Sequence, residues 1–169
     1  MKINSLRDLY VYQIKDLYSA EKMLLAAWPK LVKAASHEEL CTLLEEHQGQ
    51  GEQQVERLEQ IMEGLGEAKR AEKCEGMEGI IAECERLIDE DISKEALDAA
   101  LIGVAQKIEH YEIAAYGTAR TFAETLGEEE AAKLLQLTLD EEIETDEKLT
   151  ELAEECINAE AETAGSGQG

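Results

Sequence analysis

The stretch LDAALIGVAQKIEHYEIAAYGTARTFA, residues 97–123, decides the fold. Its apolar side chains recur at helical spacing and cover more than half of the circumference, as in a helix buried among others. Two carboxylates interrupt that arc. At about 100° per residue, Glu112 falls near its centre beside Leu101 and Ala119. Glu109 lies one turn earlier, flanked by Ile102, Ile113 and Tyr116, whereas His110 points the opposite way into solvent. Burying a carboxylate costs on the order of several kcal/mol unless it is protonated, paired or bound to a cation.

Three more long helices are expected around this one. The first runs from about Ser5 to Ala35 through Leu6, Tyr10, Leu17, Leu24, Trp28 and Leu31, with Pro29 as a candidate kink. Ser36 reads as an N-cap, and Glu39 completes a capping box for a second helix reaching about Leu65. Gly64 and Gly66 are its stop signals. A polar connector over about residues 67–75 leads to a short amphipathic helix near Gly76–Asp91. Ser93 caps the buried helix, which spans about Lys94 to Leu126 and stops at Gly127. The last helix begins near Glu128 and runs to about Asn158. The expectation is an all-α, ferritin-like four-helix bundle over residues 1–159, with one long crossover carrying a short fifth helix. Residues 160–169 are expected to form a flexible C-terminal tail.

Each of the other long helices also carries a polar side chain within its apolar arc. Glu21 lies between the directions of Leu17 and Leu25, with Gln13 in the same arc. His47 points with Leu40, Leu58 and Leu65; Gln54 shares that face and Gln50 lies at its edge. Glu142 shares a direction with Leu135 and Leu149, and Asp146 lies one turn further along. Heights agree within each hairpin. Glu112 and Glu142 are each about 15 residues from the turn at Gly127, and Glu21 and His47 differ by roughly 6 Å about the turn near residue 36. Any one of these residues alone has an ordinary structural reading, as a core histidine or an edge carboxylate that snorkels out. Their joint occurrence on four helices points to a metal site. Glu21, Glu109, Glu112 and Glu142 bring four negative charges, which two divalent ions would balance. Carboxylates with one imidazole suit iron or manganese.

Composition bounds the rest. With 16 Lys+Arg against 39 Asp+Glu, the net charge of −23 argues against nucleic acid and anionic membranes as partners. No apolar run has the length of a membrane span and no signal-peptide core is evident, so a cytoplasmic location is expected. The cysteines, Cys41, Cys74, Cys84 and Cys156, form no C-x-x-C pair and do not resemble a zinc site. Cys41 and Cys156 read as buried small hydrophobes and Cys74 as a thiol in a polar connector. The tyrosines Tyr10, Tyr18, Tyr111 and Tyr116 read as core packing.

The segments Asp16-Leu-Tyr-Ser-Ala-Glu21, Glu45-Glu-His47, Glu109-His-Tyr-Glu-Ile-Ala-Ala-Tyr-Gly117 and Thr145-Asp-Glu-Lys-Leu149 resemble the YciE/YciF-type bacterial stress-response family. The third segment is the most specific, and the similarity covers nearly all of the chain except the tail. The resemblance implies a ferritin-like, rubrerythrin-related bundle, a homodimer, and metal-site positions at Glu21, His47, Glu109, Glu112 and Glu142. Members of that family usually have an acidic residue at the position of Gln50, and many have Glu at that of Gln13. Neutral amides are weaker ligands for hard cations, so one metal subsite is expected to be weakened here. Two functions follow as expectations: a di-metal protein acting on oxygen or peroxide, or a non-catalytic helical protein whose site has decayed. Nothing in the sequence specifies the closed cage that iron storage requires.

Overall fold

A computed structural model describes residues 3–70 and 73–166. Among them every regular element is helical: α1 (Leu6–Ala34), α2 (Glu38–Gly64), α3 (Glu75–Asp89), α4 (Lys94–Leu126), α5 (Glu129–Leu152) and α6 (Asn158–Ser166). A π-turn, Ala153–Ile157, joins α5 to α6. Helix α1 packs on α2 and α4, and α5 packs on the same two, so the four long helices form a ring. Arg7 of α1 pairs with Glu128 at the α4–α5 turn, while Ser36 after α1 reaches Asp98 near the start of α4. Neighbours in the ring are therefore antiparallel. The connection from α2 to α4 traverses the bundle, and α3 lies against α1 and α4. This is the expected all-α, ferritin-like arrangement with a helix in its crossover.

Local signals explain several boundaries. Ser5 and Ser93 cap α1 and α4 by accepting from the N–H of Asp8 and Ala96. Gly127 ends α4 in the left-handed region at φ 74°, a conformation open to a residue without Cβ. Helix α1 continues through Pro29.

Three expectations need correction. Helix α2 has no capping box: its first residue follows His37, whose side chain makes no cap hydrogen bond. Asp98 of α4 takes that role, accepting from the Ser36 N–H at 2.8 Å, the Ser36 hydroxyl at 2.6 Å and the His37 N–H at 3.1 Å. Three cysteine readings are reversed, since Cys74 is buried while Cys41 and Cys156 are half-buried. Cys74 is enclosed because its thiol meets Tyr111 and Asp16 while its N–H donates to Ser19. At the other end, the chain stays helical through Ser166 where a flexible tail was expected from residue 160. The Ala- and Glu-rich sequence there favours a helix, and buried Ile157 anchors its start. Residues 167–169 of that segment, and 71 and 72 of the connector, lie outside the described residues.

The core divides into two apolar clusters. One contains Leu24, Trp28, Leu40, Leu44, Leu101 and Leu149. The other, toward the opposite end, contains Tyr10, Ile14, Leu58, Met62, Ala119 and Leu135. Glu21, His47, Gln54, Glu109, Glu112 and Glu142 lie along the four helices between these sets, and all six are buried.

Candidate metal centre

Helical periodicity brings these side chains inward, and the ring of helices makes them meet. His47, Glu109, Glu112 and Glu142 offer ligand-capable atoms that all lie within 4.8 Å of one another. His47 Nε2 is 3.3 Å from Glu109 Oε1 and 3.7 Å from Glu142 Oε2. Glu21, the fifth expected residue, stands beside this group: its Oε1 accepts from the Tyr116 hydroxyl at 2.5 Å. Its other oxygen faces α2 at Gly51, where an added Cβ would come within 3.9 Å of it and 3.2 Å of Leu25.

Five carboxylate oxygens in this layer, both of Glu109, both of Glu112 and Oε2 of Glu142, are enclosed with no hydrogen-bond donor among the described residues. Buried acceptors are seldom left in this condition. Their neighbours are other carboxyls, Glu142 beside Glu109 and Glu21 beside Glu112. Without a cation, such pairs can bond only by sharing a proton. Burial first, then the charge of Glu142, pushes the Glu21 carboxyl up to about 8, although the Tyr116 hydrogen bond opposes the shift. Burial and the facing carboxylates likewise hold Glu109 and Glu112 well above the ordinary range, with Glu142 the leading charge for Glu109 and Glu21 for Glu112.

The surrounding residues orient this group. His47 Nδ1 lies 3.3 Å from Gln50 Oε1 and 3.4 Å from Thr145 Oγ1. A proton on Nδ1, donated to Gln50, leaves Nε2 to present its lone pair to the carboxylates, the tautomer a metal ligand needs. The Trp28 and His47 rings are centred 5.0 Å apart in an edge contact at 84°. Gln54 Nε2 donates to Glu142 Oε1 at 2.5 Å and to Glu141 Oε2 at 3.1 Å. Arg57 holds Glu141 through two 2.6 Å bonds and also reaches Thr138.

Sequence reasoning missed the roles of Trp28, Thr145, Arg57 and Tyr116, the last expected only as packing. Asp146 is engaged elsewhere, accepting from Gln106 and facing exposed His110, although its charge also bears on Glu109. Gln13 is half-buried. Gln50 faces Nδ1 of the imidazole, as an orienting partner.

A family model described as a domain of unknown function, DUF892, matches residues 5–162. The chain belongs to the DUF892 family. Protein YciF of Escherichia coli K12 is 45% identical over 163 residues, covering 96% of this chain and 98% of that protein. The crystal structure of that stress protein superposes on this DUF892 chain with a TM-score of 0.86 over 89% of it and 96% of the relative. A second structure, YcfI from Rhodopseudomonas palustris, described as a proposed structural protein, is 35% identical. It has a TM-score of 0.86 and covers 88% of this chain and 95% of its own. A third, from Xanthomonas campestris pv. campestris, shares the fold at 24% identity, with a TM-score of 0.76 over 96% of this chain and 99% of its own. The chain is thus of the YciF type that its motifs resemble.

Proposed function

We propose that this DUF892 protein is a ferritin-like stress protein holding a pair of iron or manganese ions at Glu21, His47, Glu109, Glu112 and Glu142, and that it acts on oxygen or peroxide. The observation that carries this reading is the set of five donor-less carboxylate oxygens enclosed beside His47 Nε2. The donor set is oxygen-rich with one imidazole, the chemistry iron and manganese prefer. Four carboxylates match the charge of two divalent ions. The association with stress comes by likeness to YciF.

When bound, the ions would supply electrons and Lewis acidity toward a small oxidant. The chain's own residues supply the rest. Gln54 fixes one oxygen of Glu142 and turns the other toward His47. Tyr116 fixes Glu21. Gln50, Thr145 and Trp28 hold the imidazole. The apolar clusters on either side exclude bulk water, strengthening every charge interaction between them. Burial favours protons on Glu21, Glu109 and Glu112, which bound ions would displace because metal ligands must be deprotonated.

The test is anaerobic loading with ferrous or manganous ion, followed by elemental analysis and a peroxide-consumption assay. About two ions per chain are expected, falling together with peroxide consumption in the Glu112→Gln, Glu142→Gln double variant. Content near zero in the parent protein would end this reading. Such a result would favour a non-catalytic helical protein, in which the paired carboxyls share protons as a permanent polar core. The adjacency of Glu109 to Glu142 and of Glu112 to Glu21 supports that second reading. It requires the double variant to melt higher than the parent, with no ligand response to lose.

Assembly as a cytoplasmic homodimer belongs to the same proposal; no helix among the described residues is long and apolar enough to cross a membrane. A solution mass of two chains would support the dimer, and a cage-sized mass would replace it with storage.

A further inference from the structure

A second group of ligand-capable side chains lies where the α1–α2 turn meets the C-terminal helix. His37, Cys156 and Glu160 bring an imidazole nitrogen, a sulfur and a carboxylate oxygen within 4.8 Å of one another. His37 Nε2 is 3.5 Å from Cys156 Sγ, and that sulfur is 3.2 Å from Glu160 Oε1. Around a tetrahedral ion with metal–sulfur near 2.3 Å and metal–nitrogen or metal–oxygen near 2.0–2.2 Å, adjacent donors stand roughly 3.3–3.6 Å apart. The His37–Cys156 separation lies within that window and the Cys156–Glu160 separation just below it, while the imidazole and carboxylate come within 4.8 Å of each other.

The local backbone is unusual at the same place. Cys156 sits in the π-turn, closed by the Asn158 N–H bonding to the Ala153 carbonyl. That wider turn inserts one extra residue, rotating α6 and Glu160 by about 100° relative to an unbroken α-helix. His37 is under-bonded, since among the described residues its Nδ1 is enclosed without a partner and its Nε2 has the thiol as its one hydrogen-bond partner. A cation at Nε2 would give the ring a strong polar contact. Glu38, Glu39 and Glu46 line the adjoining recess, so the local field attracts positive charge.

We propose that His37 Nε2, the Cys156 thiolate and Glu160 Oε1 form a three-ligand site for a borderline-soft divalent cation of the zinc class, which pins α6 to the α1–α2 turn. The thiolate selects against magnesium, calcium and manganese, and imidazole with carboxylate completes a mixed set familiar for zinc. The fourth position is open to water. A reactive nucleophile is the competing use of this cysteine. The hydrogen bond to Glu160 first, and burial second, push its thiol up, which disfavours a free thiolate. Binding exchanges the thiol proton for the ion. The central group contains no sulfur, so the two sites are separable by spectroscopy.

The probe is cobalt(II), a zinc stand-in, added to the full-length reduced protein. A thiolate-to-cobalt charge-transfer absorption is expected in the parent, lost on adding zinc, lost in Cys156→Ser, and retained in Glu112→Gln and Cys74→Ser. No such absorption in the parent, or one that persists in Cys156→Ser, overturns the assignment. Alkylation of Cys156 in the parent, mapped by mass spectrometry with and without zinc, needs no variant to fold. Protection by zinc is expected, and equal rates with and without it overturn the proposal as well.

Discussion

Asp98 and Glu112 are buried carboxylates on the same helix, and their surroundings are opposite. Asp98 receives three hydrogen bonds from Ser36 and His37, so its charge is compensated by donors that the fold supplies. Glu112 receives none on either oxygen among the described residues, and the charges that bear on it, those of Glu21, Glu142 and Glu109, are all acidic. The first is a finished contact that joins two ends of the chain. The second is unfinished, and only a proton or a cation can complete it. A buried carboxylate is therefore not a functional signal by itself; a buried carboxylate without donors is.

The largest expected effect separates these two regions. An ion present at about a thousand times its Kd stabilises the folded state by about 4 kcal/mol, or roughly 8–16 °C for a chain of this size. Calorimetry of the parent with manganous ion should show a rise of this order, and the Glu112→Gln, Glu142→Gln double variant should show none. An equal rise in both would erase the contrast between the two carboxylate sites.

Asp98→Ala should come next. It strands buried donors of Ser36 and His37 and should cost about 1–3 kcal/mol in chemical denaturation. Manganous ion should still stabilise this variant by the same increment as the parent. Loss of that increment would mean that the cap and the central layer are coupled.

The same contrast explains what was legible in the sequence. Glu109 and Glu112 stand out because each interrupts a long apolar arc, and period alone carries them to the bundle interior. Glu21, His47 and Glu142 follow by the same rule once four helices are counted. Asp98 does not stand out: near the N-terminal end of α4 an acidic residue reads as favourable dipole chemistry, and its partners lie 61 and 62 residues away. Ser36 and Glu39 form a local pattern that tertiary structure overrides, because Asp98 reaches the same donors. Arg57 and Glu141 were invisible for a similar reason, as a half-buried ion pair between two helices has no periodicity of its own. The π-turn likewise leaves no mark that spacing rules can detect.

A third prediction concerns pH. Glu21 has an ordinary value of 4.5 and is pushed up to about 8 in the folded chain, so between these values the folded state holds more proton than the unfolded one. Stability is then greatest below the unfolded value and falls as pH rises toward about 8. Glu109 and Glu112 shift in the same direction and reinforce the trend. Melting of the metal-free protein should drop across this window, whereas saturating manganous ion should flatten or reverse the slope, because it binds the deprotonated groups. A metal-free protein that gains stability over the same range would show these carboxyls to be ionised and otherwise compensated.

The smallest effect tests the layer around the centre. Gln50 Oε1 faces His47 Nδ1, so the side chain biases which nitrogen carries the proton. Gln50→Leu removes that acceptor at a half-buried position and should leave metal-free melting within about 0.5 kcal/mol of the parent. Its manganous-ion affinity should nonetheless fall about tenfold, near 1.4 kcal/mol, as outer partners of ligating imidazoles do when lost. Gln50→Glu should move affinity the other way, since a carboxylate acceptor makes Nε2 more basic. If both variants bind as the parent does, Thr145 alone orients the ring, because at 3.4 Å from the same nitrogen it is the other polar contact there.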